Sequence, residues 1–237
     1  MKEALLYEGK AKKVYQAKDK PGQLILDYKN DATAFNGEKK ETFAGKGRLN
    51  NEISALIFPR LHEKGIETHF IERLSETEQL VHQTEIIPIE VVVRNLATGN
   101  LTKRLGIEEK TVFNPPIVEL FYKDDELGDP LINDQHALLL SSVTPSELQE
   151  IKEKALEINK QLSDLFAAIN VKLVDFKLEF GRLASDCIVL ADEVSPDTCR
   201  LWDITTHEKL DKDVFRQGTG DLIEGYEEIL KRLEAIS

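Results

Sequence analysis

Leu173-Val174-Asp175-Phe176-Lys177-Leu178-Glu179-Phe180-Gly181 alternates apolar and charged residues from Val174 to Phe180. Successive side chains of a strand point to opposite faces, so the pattern predicts a strand over 171–180. Asp175, Lys177 and Glu179 share one face, and Val174, Phe176, Leu178 and Phe180 line the other. An ordinary solvated strand shows the same alternation. The residues that follow give the charged face a second meaning. Beyond Gly181 the chain is expected to turn near 183–185 and return as a strand over 186–194, through Cys187-Ile188-Val189-Leu190-Ala191-Asp192-Glu193. Antiparallel pairing about that turn brings Asp192 or Glu193, depending on register, close to Lys177 and Glu179. Carboxylates on adjacent strands beside a lysine can hold Mg²⁺, which takes oxygen ligands and shares them with substrate phosphates.

Outward from this hairpin, Thr144-Pro145-Ser146-Glu147 has the form of a helix start: an N-cap threonine, proline in the first turn and a glutamate three residues on. Leu148, Ile151, Ala155, Ile158, Leu162, Leu165 and Ile169 continue it as an apolar stripe, which marks core scaffolding. Residues 222–236 read as a closing amphipathic helix. Upstream, 86–93 is apolar apart from Glu90 and rich in β-branched residues, as in a buried strand. The first ninety residues read as short strands (4–7, 13–17, 24–28, 68–74, 79–82) with a helix over 45–64. Strands first and a mixed half afterwards predict an α+β protein of two lobes, a β-rich one over 1–85 and an α+β one over 86–237, with a cleft between them.

The 237 residues are 41% hydrophobic, enough for a substantial core. No apolar run approaches the roughly 20 residues that span a bilayer, and the N-terminus lacks the pattern of a secretory signal, so a cytoplasmic protein without membrane partners is expected. A net charge of −12 argues against a nucleic-acid-binding face. Cys187 and Cys199 make no disulfide framework, and the five scattered histidines make no zinc site. Any metal should sit on carboxylates, which favours Mg²⁺.

Three further constellations carry basic residues. In Tyr7-Glu8-Gly9-Lys10-Ala11-Lys12-Lys13-Val14-Tyr15, a glycine at a hairpin tip lets backbone amides approach a phosphate beside lysines. In Glu90-Val91-Val92-Val93-Arg94-Asn95-Leu96-Ala97-Thr98-Gly99-Asn100, Arg94 ends a buried strand; it could fork onto a carboxylate or phosphate, or pair with Glu90. The Ser195-Pro196-Asp197 turn after Asp192-Glu193 should aim Arg200 at the same cleft, and Lys212 and Arg216 lie one helical turn apart.

Taken in order, these segments resemble the phosphoribosylaminoimidazole-succinocarboxamide synthase family over nearly the whole chain. The resemblance implies ATP between the lobes and an ATP-dependent ligation of carboxyaminoimidazole ribonucleotide (CAIR) to L-aspartate, with release of ADP and phosphate, in a homodimer. By the same resemblance, Gly9, Lys10 and Lys12 belong to the phosphate-covering loop, and Ala11 and Val14 contact ATP with them. Ile86 and Pro88 border the adenine, and Lys123 lies beside the nucleotide. Glu179 and Asp192 are the Mg²⁺ carboxylates. Arg94, Asn100, Arg200, Lys212 and Arg216 serve the ribonucleotide, with Lys177 and Asp175 on the catalytic face. Asn100 and Asn36 stand where many members carry serine and aspartate. A small-molecule kinase and a non-catalytic nucleotide-binding module are the competing readings; no His-Arg-Asp loop supports the former.

Overall fold

The computed structural model describes residues 1–34 and 39–236, so Asn36 lies outside the described residues. From the N-terminus, β1 (Lys2–Glu8), β2 (Lys12–Ala17) and β3 (Gln23–Tyr28) form an antiparallel meander, and β4 (Asp31–Ala34) and β5 (Lys39–Thr42) a separate ribbon. Helix α1 (Lys46–Glu63) follows. Then β6 (Phe70–Arg73) and β7 (Glu78–His82) complete a sheet of order β1-β2-β3-β7-β6.

The second half contains β8 (Glu85–Leu96), α2 (Asn100–Leu105), β9 (Val112–Tyr122), β10 (Leu131–Ile132), α3 (Asp134–Leu140), α4 (Pro145–Ala168), β11 (Val171–Arg182), β12 (Ile188–Ala191), β13 (Cys199–Asp203), α5 (Asp213–Gln217) and α6 (Leu222–Glu234). Its sheet runs β10-β9-β8-β11-β12. β13 shares the β12 edge of β11: it pairs with residues 171–176, and β12 with residues 179–182. The architecture is α+β and two-lobed.

β11 pairs with β8 on one side and with both β12 and β13 on the other. Phe176, Leu178 and Phe180 pack into one core with Leu49, Ile53 and Ile57 of α1, Ile158 and Phe166 of α4, and Tyr226 of α6. Helices therefore cover one face of the sheet and leave the other to the cleft. Val174 departs from the expected grouping. Between Leu173 and Asp175 the register against β13 slips, and the extra residue inverts the alternation. Leu173 joins the main core, and Val174 packs instead with Leu96 and Trp202.

The helix start at Thr144 forms a capping box. The Thr144 N–H donates to Glu147 Oε2 at 2.7 Å, and the Glu147 N–H donates to Thr144 Oγ1 at 3.3 Å. The expected strand over 186–194 is shorter, because Asp192 adopts φ 61° and ends it. No described helix is long and apolar enough to cross a membrane.

Candidate functional site

A cleft of about 700 Å³ opens between the two sheets and is lined from both. Of the candidate residues, Gly9, Lys10, Ala11, Lys12, Val14, Ile86, Arg94, Lys123, Asp175, Lys177, Glu179, Asp192, Arg200, Lys212 and Arg216 line it. Asn100 and Pro88 do not. Asn100 is exposed at the start of α2, one residue beyond Gly99, which packs against the Arg200 guanidinium. The Pro88 carbonyl accepts the Lys123 N–H at 3.1 Å.

One end of the cleft is acidic. β11 carries Lys177 and Glu179 into it, and the Lys177 Nζ donates to Glu179 Oε1 at 2.5 Å and to Glu90 Oε1 at 2.9 Å on neighbouring β8. Glu179 pairs across the ladder with Ala191. The next residue is Asp192, and its left-handed backbone carries its Oδ2 to 3.9 Å from the same Nζ. Lys123 donates to Glu179 Oε1 at 2.9 Å. Lys12, at the start of β2, is buried against Asp192 and reaches Glu193 Oε1 at 2.7 Å. Burial alone would lower both lysine pKa values. Asp192 and Glu193 hold Lys12 well above its ordinary value, and Glu179, Asp192 and Glu90 do the same for Lys177. Burial opposes ionisation of Asp192, but Lys12 and Lys177 keep its carboxyl well below the usual range.

Three ammonium groups (Lys12, Lys123, Lys177) thus meet four carboxylates (Glu90, Glu179, Asp192, Glu193). The balance favours an added cation. Lys177 already places one positive charge between Glu179 and Asp192, so the pair can share a cation, and carboxylate oxygens are the donors that Mg²⁺ takes. No group of three or more His, Cys, Asp or Glu ligands converges among the described residues.

The other end is basic. Arg94 is buried; its Nε donates to Glu119 Oε2 at 2.6 Å and its Nη1 to Asp175 Oδ2 at 2.5 Å. Pairing of Arg94 with Glu90 is therefore not what forms, since Glu90 is engaged by Lys177. Arg200 bridges Asp175 Oδ2 at 2.7 Å and Asp213 Oδ2 at 2.9 Å, and Arg216 reaches Asp213 Oδ1 at 2.7 Å. Lys212 stands 3.7 Å from Asp197 Oδ2. At the cleft wall four cations (Arg94, Arg200, Lys212, Arg216) meet two carboxylates (Asp175, Asp197), and behind them Arg104 pairs with Glu119 and Lys46 with Asp197. A further carboxyl, Asp211, is pushed up to about 7 by burial and by Asp213. This end can accept anionic groups.

Sequence reasoning passed over His69, Tyr226 and Lys46. His69 lines the cleft beside Asp192, and burial pushes its pKa down to about 4, so it is neutral at pH 7. Lys46 had one usable signal: a cation in the first turn of a helix faces the positive end of the helix dipole and needs a compensating anion.

A two-lobed fold whose cleft has an excess of carboxylate at one end and of cations at the other defines a two-ended site that can accept ligands of opposite charge demand side by side. The chain belongs to the SAICAR synthetase family, whose model matches residues 5–233. It is 71% identical over 234 residues to the phosphoribosylaminoimidazole-succinocarboxamide synthase of Oceanobacillus iheyensis, covering 99% of each chain. Among solved structures, the crystal structure of the synthase from Ehrlichia chaffeensis matches with a TM-score of 0.95 and 49% identity, covering 99% of this chain and 100% of that one. A SAICAR synthetase in complex with ADP matches with a TM-score of 0.92 and 51% identity over 96% of each chain.

Proposed function

We propose that this chain is an ATP-dependent ligase of purine biosynthesis that joins CAIR to L-aspartate, giving SAICAR, ADP and phosphate. Membership of the family supports the reaction. The observation that carries it to particular residues is the division of one cleft into an acidic end, suited to metal and triphosphate, and a basic end, suited to a phosphorylated, carboxylated substrate.

The chemical difficulty is that a carboxylate resists attack by an amine. ATP removes it by transferring its γ-phosphoryl group to the imidazole carboxylate, breaking the bond to ADP and forming an acyl phosphate. The aspartate amine then attacks the acyl carbon, and phosphate leaves. No protein nucleophile is needed; the catalytic work is positioning and charge stabilisation. Gly9 to Lys12 form the tip of a hairpin over the cleft, with the Gly9 N–H held on the Lys12 carbonyl at 2.8 Å. Lys12, Lys123 and Lys177 present ammonium groups to phosphate oxygens, while Val14 and Ile86 give the base an apolar wall. Glu179 and Asp192 would hold Mg²⁺, which supplies Lewis-acid neutralisation of phosphate charge. Arg94, Arg200, Lys212 and Arg216 orient the ribonucleotide from the basic end, with Asp175 fixing two of those arginines. Asn100, one residue beyond the Gly99 that meets Arg200, serves the same substrate.

In this reading residues 1–85 act as the nucleotide-binding lobe and 86–237 as the substrate and metal-binding lobe of one catalytic unit. The enzyme works in the cytoplasm as a homodimer, without nucleic-acid or membrane partners. ADP formation measured with each substrate omitted in turn tests it. ADP should appear only when ATP, Mg²⁺, CAIR and aspartate are all present or, more slowly, with aspartate alone withheld. Full turnover without aspartate would point to a kinase, and no ADP under any combination to a non-catalytic module.

A further inference from the structure

Lys46 opens α1 and is fully buried, which is rare for a lysine. It does not line the cleft, yet it is tied to a residue that does. Its Nζ lies 2.5 Å from Asp197 Oδ2, and Asp197 Oδ1 accepts the Tyr226 hydroxyl at 2.5 Å. Lys212 approaches the same Oδ2 but stops at 3.7 Å, beyond hydrogen-bond reach. Tyr226 therefore fills Oδ1 with a hydrogen bond, and the Lys46 ammonium neutralises Oδ2 as a buried ion pair that makes no hydrogen bond of good geometry, so Lys212 is left at the edge of the cleft as the loosely held cation. Arg216, its nearest basic neighbour on α5, is occupied by Asp213. Consistent with this crowding, burial pushes the Lys212 pKa down, aided by Lys46 and Arg216 and opposed by Asp197.

We propose that Lys46 is a positioning residue: by neutralising the Asp197 carboxylate as its close ion-pair partner it leaves Lys212 free to meet the anionic ribonucleotide substrate. A buried carboxylate that loses its cation must find another, since an unpaired buried charge is costly. Lys212 is the cation within reach, and closing onto Asp197 would withdraw it from the cleft. The proposal rests on the assignment of Lys212 to the ribonucleotide made above.

The test compares Lys46→Met, Lys212→Ala and the double variant in steady-state kinetics. Lys46→Met should raise the KM for CAIR by about 10-fold, as for a coupled pair of neighbouring charges. The KM for ATP should stay within about twofold of the parent. In the Lys212→Ala background the same change should add nothing to the CAIR KM, because Lys212 is no longer there to be captured. Tyr226→Phe is the second variant should Lys46→Met fail to fold. It vacates Oδ1 and should produce the same selective rise, again abolished by Lys212→Ala. Equal shifts in both KM values, or effects that add in the double variant, overturn the positioning role while the ligase reading stands. A parent chain without aspartate-dependent product overturns the ligase reading first.

Discussion

At φ 61° Asp192 has left the strand, and this decides which way its carboxylate points. Leu190 belongs to the core, and Ala191, paired with Glu179, faces the other way. A strand continued through residue 192 would therefore send the side chain back to the core face. The left-handed turn sends it over Lys177 and Lys12 instead. Asparagine tolerates this backbone as readily as aspartate, so Asp192→Asn removes charge and leaves the turn intact. Glu179→Gln does the same on β11. Each is expected to lower kcat by about 10²–10³-fold, the size of a lost transition-state charge contact, with a melting temperature close to the parent's. Near-parental ADP release from both variants would refute the metal assignment. The carboxylate and lysine face of β11 was legible because period-two alternation is local. The turn at Asp192 and the bulge at Val174 were not, since each is set by what the neighbouring strand demands. Lys46 and Asp197 meet only after folding, from positions 151 residues apart in the chain.

Among the elements, α4 was legible almost to the residue because its start is written in side-chain chemistry. Thr144→Ala removes the acceptor for the Glu147 N–H and should cost about 1 kcal/mol. That lowers the melting temperature by about 2–4 °C for a chain of this length. Helix α1 shows the opposite case, where propensity misleads. Alanine in place of a helical glycine ordinarily stabilises by about 1 kcal/mol, yet a Cβ on Gly47 would sit 2.5 Å from the Tyr28 carbonyl oxygen. The clash is with backbone, so α1 must move off the end of β3, and Gly47→Ala should lower the melting temperature. A rise would show that α1 is not held that closely. β9 was hidden for a related reason. Asn114-Pro115-Pro116 reads as an interruption, but the two prolines fall where the ladder to β8 slips, between the Leu96–Val112 and Arg94–Ile117 pairs. A bulge tolerates the missing N–H groups.

For the whole molecule, a net charge of −12 gives no hint of a cleft with a cationic end. Fold class, lobes and family are properties of long stretches and could be read from the sequence. The charge ledger of the cleft depends on contacts across the two halves and could not. The same contacts join the halves mechanically. The Leu190 N–H donates to the Glu67 carbonyl at 3.0 Å, the His69 N–H to the Leu190 carbonyl at 2.8 Å, and the His69 ring lies 3.1 Å from the Asp192 carbonyl oxygen through Nε2. The ring also packs edge-on against Phe58. Burial pushes its pKa from 6.5 down to about 4 against the pull of Asp192, so the folded chain keeps it neutral where the unfolded chain would protonate it. The unfolded state therefore binds more protons between those two values. Stability from this site is full above pH 6.5 and drains away as the pH falls toward 4. Between about pH 7.5 and about pH 5 the parent should lose about 2 kcal/mol more than His69→Gln, which keeps a donor for the Asp192 carbonyl but cannot titrate. Urea unfolding of both proteins across that range measures the difference directly. Parallel pH dependences would mean that His69 charges in place, and that the seam between the lobes is wetter than its packing implies.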